Sequence, residues 1–364
     1  MTINAHLHIR QNAAFDPIVS SPGFLQDHWR LCRSIPMFLV LLFGTGMLEA
    51  QQYTIKFATL APEGSTWMNV MREYDQVIRK ESGGRLGFKI YPQGVQGDEK
   101  DVLRKIKLGQ LHSAGITGNG MTAIAKKARI LDSPFLFKSY EEVDSIYKTF
   151  DKEFAQAFEE GGYVLLGWAE VGFVYLFTNT QVRTSGDMKG VKMWMWEGDP
   201  IAEAMFTALG IQAIPLSITD VSTSLQTKLI NGVYTSPLGA IALQWFTRVK
   251  FMLDLPIADA SGAVVISKKK YDELPRELQE ILLRNGRALM DKLTKLSRQD
   301  NTNSIESLKK QKITIVGSPP IEELMKYDEI GKKARQILVG NLYDDEFLKR
   351  VEQKVLEIRN KQHK

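Results

Sequence analysis

Apolar and polar residues repeat in two ways downstream of residue 52. Residues 53–59 alternate with a period of two, which is typical of a half-buried strand, and residues 67–80 carry apolar side chains at helical spacing. A second strand and helix follow at residues 86–91 and 98–108, beyond a pair of glycines. The pattern therefore predicts successive β-α units.

The alternation of strands and helices continues through the middle of the chain. It predicts strands at residues 164–168, 175–178 and 192–196, and a helix at residues 200–209. Elements that alternate in this way are typical of α/β proteins. We therefore expect an α/β fold with mainly parallel sheets.

The C-terminal part of the chain is nearly all helical in pattern. Helices are predicted at residues 267–299, 303–310, 320–338 and 344–361, with one strand at residues 313–316. Their polar faces carry many charges, so we expect long C-terminal helices that wrap an α/β body.

The N-terminal residues are typical of an export signal. Arg30 and Arg33 precede an uncharged apolar run at residues 35–48, and polar residues follow Ala50. The run of 14 residues is shorter than the roughly 20 that a bilayer-spanning helix needs. Residues 1–50 are therefore predicted to be a cleaved signal peptide with an N-terminal extension, and the mature protein is predicted to be periplasmic.

Length, cysteine content and charge narrow the class of protein. The remaining chain of about 314 residues exceeds what one hydrophobic core usually organises, so two lobes are expected. Cys32, the one cysteine, lies in the predicted signal, and the mature chain is therefore expected to form no disulfide. The 47 basic and 42 acidic residues are interleaved, which favours a solvated surface over nucleic-acid binding.

Residue types for catalysis are sparse. Downstream of the predicted signal the histidines are His112 and His363, too few for a His/Cys metal site or for an oriented catalytic base. The GITGNG segment at residues 115–120 matches neither the dinucleotide-binding spacing nor the P-loop spacing. We expect no enzyme activity, no cofactor and no His/Cys metal site. A carboxylate site for Ca²⁺ is left open, because such sites need no fixed spacing.

Six segments carry a shared family pattern. They are KFAT at 56–59, YPQGVQGDE at 91–99, LRKIKLGQL at 103–111, LDSPFLF at 131–137, DMKGVKM at 187–193 and LQTKLINGV at 225–233. Together they closely resemble the tripartite ATP-independent periplasmic (TRAP) solute receptors of the DctP type. The resemblance follows the family order over almost the whole chain downstream of residue 50.

The resemblance implies a two-lobed fold that closes on a small ligand at its hinge and delivers it to TRAP membrane permease subunits. Lobe I is expected to comprise residues 51–171 with 261–300, and lobe II residues 172–260 with 301–364. A periplasmic lipid carrier and a ligand reader for a sensory kinase remain alternatives. The resemblance also leaves open a helical-repeat accessory protein, and the sequence does not define the oligomeric state.

The resemblance departs from the family pattern at two positions. The family's carboxylate-binding arginine falls at Trp194, and a second family arginine falls at Val174. A buried carboxylate without a charged partner costs several kcal/mol of desolvation. We therefore expect a small hydrophobic or amphipathic ligand, with an organic acid held by other contacts as the alternative.

Twelve residues are predicted to contact this ligand. Most are aromatic or apolar, and three supply polar groups; a structural role in the core is the alternative for each large side chain. The predicted set is Trp67, Thr117, Asn119, Met121, Phe135, Phe173, Val174, Tyr175, Trp194, Trp196, Ser236 and Trp245.

Overall fold

The computed structural model describes residues 52–362, so the predicted signal peptide and His363 lie outside the described residues. Strands and helices alternate from Tyr53 onward. The strands are β1 Tyr53–Ala58, β2 Leu86–Tyr91, β3 Ser113–Thr117, β4 Tyr163–Trp168, β5 Gly172–Thr178, β6 Trp194–Trp196, β7 Ile214–Leu216, β8 Gly232–Thr235, β9 Phe251–Leu253, β10 Ala258–Ala260, β11 Gly262–Ser267 and β12 Thr314–Val316. The helices are α1 Thr66–Glu81, α2 Glu99–Lys107, α3 Gly118–Ile124, α4 Tyr140–Glu160, α5 Pro200–Leu209, α6 Val221–Gln226, α7 Pro237–Ala242, α8 Lys268–Asp272, α9 Arg276–Lys310, α10 Ile321–Ile337 and α11 Asp345–Gln362.

The strands form two main sheets and a two-stranded ribbon. The first sheet has the order β2-β1-β3-β11-β4, and the second has the order β10-β5-β9-β12 with β8 paired to β5. The ribbon joins β6 to β7. Each main sheet is the centre of one lobe, and the names lobe I and lobe II are used below for the bodies around the first and second sheets.

The sheets are mixed, which corrects the expectation of mainly parallel pairing. β1 pairs in parallel with β2 and β3, but β11 runs antiparallel to both β3 and β4. In lobe II, β5 is antiparallel to β8, β9 and β10. The chain leaves lobe I after β4 and returns after β10, and the strands that follow these two crossings, β5 and β11, run antiparallel to their neighbours. In contrast, β12 follows α9 and pairs in parallel with β9.

The chain passes between the two sheets at three places. The first two are the adjacent segments between β4 and β5 and between β10 and β11, which hydrogen-bond to each other from the Ala169 N–H to the Gly262 carbonyl. Gly172 has a φ of +104° at the start of β5, and a Cβ there would lie 2.5 Å from the Asn301 amide nitrogen. Glycine is therefore required at this crossing.

The third crossing is helix α9, which differs from the predicted pair of helices at 267–299 and 303–310. The helix begins after Pro275, which has no N–H to continue an earlier helix, and it runs unbroken for 35 residues. Asn301 lies where the break was predicted. Its amide donates to the Val171 and Ser297 carbonyls and accepts from the Leu238 N–H. The contacts with the first crossing segment and with α7 stabilise the helix where propensity is weak.

The hydrophobic core of lobe I occupies both faces of its sheet. Met71, Tyr74 and Leu282 are fully buried where α1 and α9 pack against one face. Phe154 and Phe158 of α4 pack against Trp168 on the other. Burial of each such side chain contributes about 1.5 to 3 kcal/mol.

Helix α11 packs on α4, with the rings of Phe347 and Phe150 5.2 Å apart. Its core residues therefore join those of lobe I, whereas the sequence assigned residues 301–364 to lobe II. We keep the predicted lobe boundaries as a proposal, with α11 as the point where packing departs from them. None of the helices within residues 52–362 is long and apolar enough to cross a membrane.

Candidate ligand-binding cleft

A cleft of about 240 Å³ lies between the two lobes. Lobe I contributes the loop before α1, the end of β3 with the start of α3, and the turn at 126–132. Lobe II contributes β6, the start of α5, β8 and α7, while the crossing segments at 169–174 and 257–260 form the hinge wall. Both lobes are therefore needed to enclose the space.

The lobe II side of the cleft is an aromatic wall. The rings of Trp194 and Tyr234 stack 4.9 Å apart, and Trp245 meets Trp194 edge-on at 5.3 Å. The Trp194 indole N–H donates to the Leu216 carbonyl across the β6-β7 ribbon, at 3.0 Å. That bond satisfies the one polar atom of the side chain and fixes its ring, so the wall is apolar and preorganised.

The lobe I side is more polar, and Glu99 is its most enclosed carboxylate. Its oxygens accept from the Thr117 N–H at 2.8 Å, the Gly120 N–H at 2.6 Å and the Thr117 hydroxyl. Burial raises the pKa of Glu99 to about 7, and these hydrogen bonds offset part of that rise. Glu99 thus holds the junction of β3 and α3 in place.

Four polar side chains join the lobes, and we call them the inter-lobe set: Asp98, Lys100, Arg129 and Asp199. Asp98 accepts from the Trp196 indole N–H at 3.1 Å, from the Ser217 hydroxyl at 2.6 Å and from the Ile218 N–H. Lys100 donates to the Glu197 carbonyl at 2.7 Å. These bonds hold the two walls together at one side of the cleft.

The remaining inter-lobe contact is a buried ion triad. The Arg129 guanidinium of lobe I pairs with Asp132 of the same lobe and with Asp199 of lobe II. Burial raises the pKa of Asp132 to about 6, although Arg129 opposes the shift. Asp199 also accepts from the Ile201 N–H as the N-cap of α5. Arg129 is therefore already neutralised by two carboxylates.

A second group has no hydrogen-bond partner within the described protein, and we call it the hinge set: Asn119, Asp259 and Ser297. Both amide atoms of Asn119, both carboxylate oxygens of Asp259 and the Ser297 hydroxyl are buried and unpartnered. All three residues line the cleft. Burial, with Glu170 and Asp132 nearby, raises the pKa of Asp259 well above its usual range.

Eight of the twelve predicted contact residues line the cleft: Trp67, Thr117, Asn119, Val174, Trp194, Trp196, Ser236 and Trp245. Met121 and Phe173 lie in the lobe I core, where Phe173 stacks on Tyr140 at 4.5 Å. Phe135 packs against Tyr327 at 5.4 Å, and Tyr175 pairs with Thr235 between strands. These four lie outside the lining.

The sequence missed Glu99, Arg129, Asp132, Asp199, Tyr234 and Asp259, all of which line the cleft. The Asp-Pro pair at 199–200 is an N-terminal helix signal, but it does not reveal the ion partner. Arg129 and Asp199 are 70 positions apart and meet only when the lobes pack. Their contact is therefore not readable from local pattern.

Of the sequence features considered for catalysis or nucleotide binding, His112 lies outside the cleft and the GITGNG segment lies in its lobe I wall. His112 accepts from the Lys56 N–H at 3.1 Å and lies outside the lining. Within residues 52–362 no group of three or more His, Cys, Asp or Glu side chains is placed to hold a metal ion. The GITGNG segment forms the end of β3 and the start of α3, with no lysine beside it.

Two lobes joined by three crossings, with a cleft closed between them, define a periplasmic-type solute-binding protein. The chain belongs to bacterial extracellular solute-binding protein family 7, DctP, whose model matches residues 57–334. It is 24% identical over 318 residues to the 2,3-diketo-L-gulonate-binding periplasmic protein of Escherichia coli, covering 85% of this chain and 91% of that protein. The family supplies binding components of transporters and is not a family of enzymes.

Other matches agree with this assignment. The C4-dicarboxylate-binding periplasmic protein DctP of Rhodobacter capsulatus is 20% identical, over 77% of this chain and 85% of its own length. A TRAP periplasmic solute-binding protein of Desulfovibrio salexigens with bound orotic acid has a TM-score of 0.78 at 16% identity, covering 84% of this chain and 99% of that one. A TRAP periplasmic solute-binding protein of Pseudomonas putida with bound D-glucuronate has a TM-score of 0.74 at 21% identity. The match covers 82% of this chain and 97% of that one. The two-lobed α/β fold of TRAP receptors is thereby confirmed.

Proposed function

We propose that this TRAP receptor binds a small apolar or amphipathic ligand and passes it to membrane permease subunits. The observation that carries the proposal is the aromatic wall of Trp194, Tyr234 and Trp245. The Trp194 indole N–H and the Tyr234 hydroxyl oxygen are already hydrogen-bonded within the protein. Each buried methylene contributes about 0.8 kcal/mol, so a ligand of about ten such groups reaches about micromolar affinity without an ion pair.

The alternative ligand is an organic acid, as in the solved relatives that hold orotic acid and D-glucuronate. By resemblance, the acid-binding arginine of the family falls at Trp194 in this chain. Arg129 is the one cationic side chain of the described lining, and two carboxylates already neutralise it. An added ligand carboxylate would stand beside two like charges, which disfavours this alternative.

The ligand can be identified by native mass spectrometry of the protein purified gently from its own cell envelope, followed by organic extraction. We expect a co-purifying apolar or amphipathic molecule that is lost from the Trp194→Arg variant. Retention of a small hydrophilic acid would overturn the ligand class and leave the receptor assignment intact.

We further propose that residues 1–50 direct export of the protein and are then removed. N-terminal sequencing of the periplasmic protein tests this. A mature chain that begins near Gln51 is expected. The helical-repeat accessory protein, the lipid-carrier role and the sensory role stay predictions of the sequence. Co-purification with permease subunits, rather than with a sensor, is the expected outcome.

A further inference from the structure

Charge is distributed unequally around the cleft. The described lining contains four carboxylates, Glu99, Asp132, Asp199 and Asp259, and a single guanidinium, Arg129. Two of the carboxylates neutralise Arg129, and Glu99 is held by backbone N–H groups. Asp259 has no hydrogen-bond donor among the described residues, and the cation that acts on it, Arg298, is already paired with Asp144 and Glu170. The unmatched charge at the cleft is therefore negative.

The hinge set lies together at one end of the cleft. The β3-β11 register pairs Thr117 with Gly262, which places the start of α3 beside the end of β10. Asn119 lies at the start of α3, and Asp259 lies in β10. Ser297 lies one turn beyond Thr294, the α9 residue that meets the crossing at Glu170. Three elements thus bring their unpartnered polar groups to the hinge wall.

Acceptors outnumber donors in this set. Asn119 offers one acceptor and one donor group, Asp259 offers two acceptor oxygens, and the Ser297 hydroxyl serves as either. Asn119 is 4% exposed and Asp259 is 1% exposed, so both side chains are almost fully withdrawn from bulk solvent. A buried acceptor without a partner costs about 1 to 3 kcal/mol. A ligand group rich in donors would remove that cost.

We propose that the polar end of the ligand is a protonated amine, bound at the hinge set by Asp259 and Asn119, with the apolar body of the ligand on the aromatic wall. This inference rests on the proposed function and specifies its ligand class. An ammonium group has three donors and no acceptor, which matches the hinge set.

The surroundings of Asp259 agree with this assignment. Burial, Glu170 and Asp132 raise the pKa of Asp259 well above its usual range, and Arg298 opposes them only in part, so an ionised carboxyl lacks sufficient opposite charge there. An ammonium ion supplies the opposite charge that ionisation needs. A ligand carboxylate supplies the wrong charge and only acceptors. The hinge set therefore discriminates between amines and acids of the same carbon skeleton.

Three probes that share an eight-carbon chain test the inference by isothermal titration calorimetry: octylammonium, octan-1-ol and octanoate. We expect octylammonium to bind at least tenfold more tightly than octan-1-ol, and octanoate to bind most weakly. Octanoate binding as tightly as octylammonium would overturn the amine assignment and leave the apolar ligand class standing. Failure of all three to bind the folded protein would overturn the proposed function itself.

Variants of the hinge set test whether these residues cause the preference for an amine. Asp259→Asn keeps the side-chain shape, and we expect it to weaken octylammonium binding at least tenfold while octan-1-ol changes less than twofold. The matched control Asp272→Asn replaces an exposed aspartate of α8 paired with Lys268, and should leave all three affinities unchanged. If circular dichroism shows that Asp259→Asn does not fold, Asn119→Ala takes its place, with a threefold or greater selective loss expected. An unaltered amine preference in the folded variant overturns the proposal.

Discussion

The inter-lobe set and the hinge set are both polar groups at the same cleft, but their hydrogen bonding differs. Asp98 accepts from three lobe II donors, and Arg129 is paired with Asp132 and Asp199. In contrast, Asn119 and Asp259 have no partner among the described residues. The difference separates polar groups that hold the lobes together from groups that a ligand can engage. Changes in the first should alter stability or closure, and changes in the second should alter binding.

The largest effect is expected from Arg129→Met, which leaves Asp132 and Asp199 buried without their cation. Breaking a buried pair by removing one partner costs about 3 to 5 kcal/mol in the free energy of unfolding. Urea denaturation measures this loss. The control Arg104→Met removes an exposed arginine paired with Asp101 and should cost less than about 0.5 kcal/mol. A loss below about 1 kcal/mol for Arg129→Met would contradict the structural role of the triad.

A pH effect of similar size is expected from Glu99. Burial, with Asp98 nearby, raises the pKa of Glu99 from 4.5 to about 7. The folded state therefore binds more protons than the unfolded state between these pH values, and stability falls as pH rises through this window. The contribution is about 3 kcal/mol. Glu99→Gln should remove this slope from the unfolding free energy, whereas the exposed control Glu159→Gln should retain it. An identical slope in Glu99→Gln would show that other groups cause it.

The inter-lobe role of Asp98 is tested by Asp98→Ser, since serine keeps the N-cap of α2 but is too short to bridge to lobe II. Loss of three hydrogen bonds to a charged acceptor should favour the open form by about 2 kcal/mol. Small-angle X-ray scattering should show a larger radius of gyration than in the control Asp101→Ser, which changes the same helix on its exposed side. Equal radii of gyration in the two variants would show that other contacts keep the lobes closed.

A smaller effect tests whether the inter-lobe set also excludes acids. Asp199→Asn keeps the N-cap of α5 and releases one of the two negative charges on Arg129. We expect octanoate to bind about tenfold more tightly, or about 1.4 kcal/mol. Isothermal titration calorimetry measures the octanoate affinity of Asp199→Asn. The control is Asp220→Asn, which changes an exposed position outside the lining. No gain in octanoate affinity would mean that Arg129 is inaccessible to ligands.

The smallest effect should come from Asn119→Ala in the absence of ligand. Because the Asn119 amide has no partner among the described residues, its removal breaks no hydrogen bond there, and the free energy of unfolding should not fall by more than about 0.5 kcal/mol. Urea denaturation measures it beside Arg129→Met. A loss above about 1.5 kcal/mol would place Asn119 among the structural groups and remove the distinction between the two sets.

Local signals in the sequence predicted most elements well. The helix predicted at residues 200–209 has those bounds in the structure, because Asp199 caps its start, Pro200 occupies its first turn and Gly210 ends it with a φ of +69°. The unbroken α9 was not predicted, since the contacts of Asn301 that stabilise it come from the crossing segment and α7.

The sequence predicted the apolar residues of the candidate site. Trp194, Trp196 and Trp245 line the cleft as the family resemblance led us to expect. Its charged half was missed, because Arg129 and Asp199 belong to different lobes and Asp259 lies within a short strand of small residues. Strand and helix periodicity report which face is buried, but they do not report which charges meet there.

Four of the tryptophans in the described part of the chain, Trp67, Trp194, Trp196 and Trp245, line the cleft, while Trp168 packs in lobe I. The tryptophan fluorescence of the described part of the chain therefore comes mainly from residues at the ligand site. Any ligand that displaces solvent from these rings or changes their mutual contacts should alter the intrinsic fluorescence of the protein. The receptor thus carries its own optical reporter, and candidate compounds can be screened without a label.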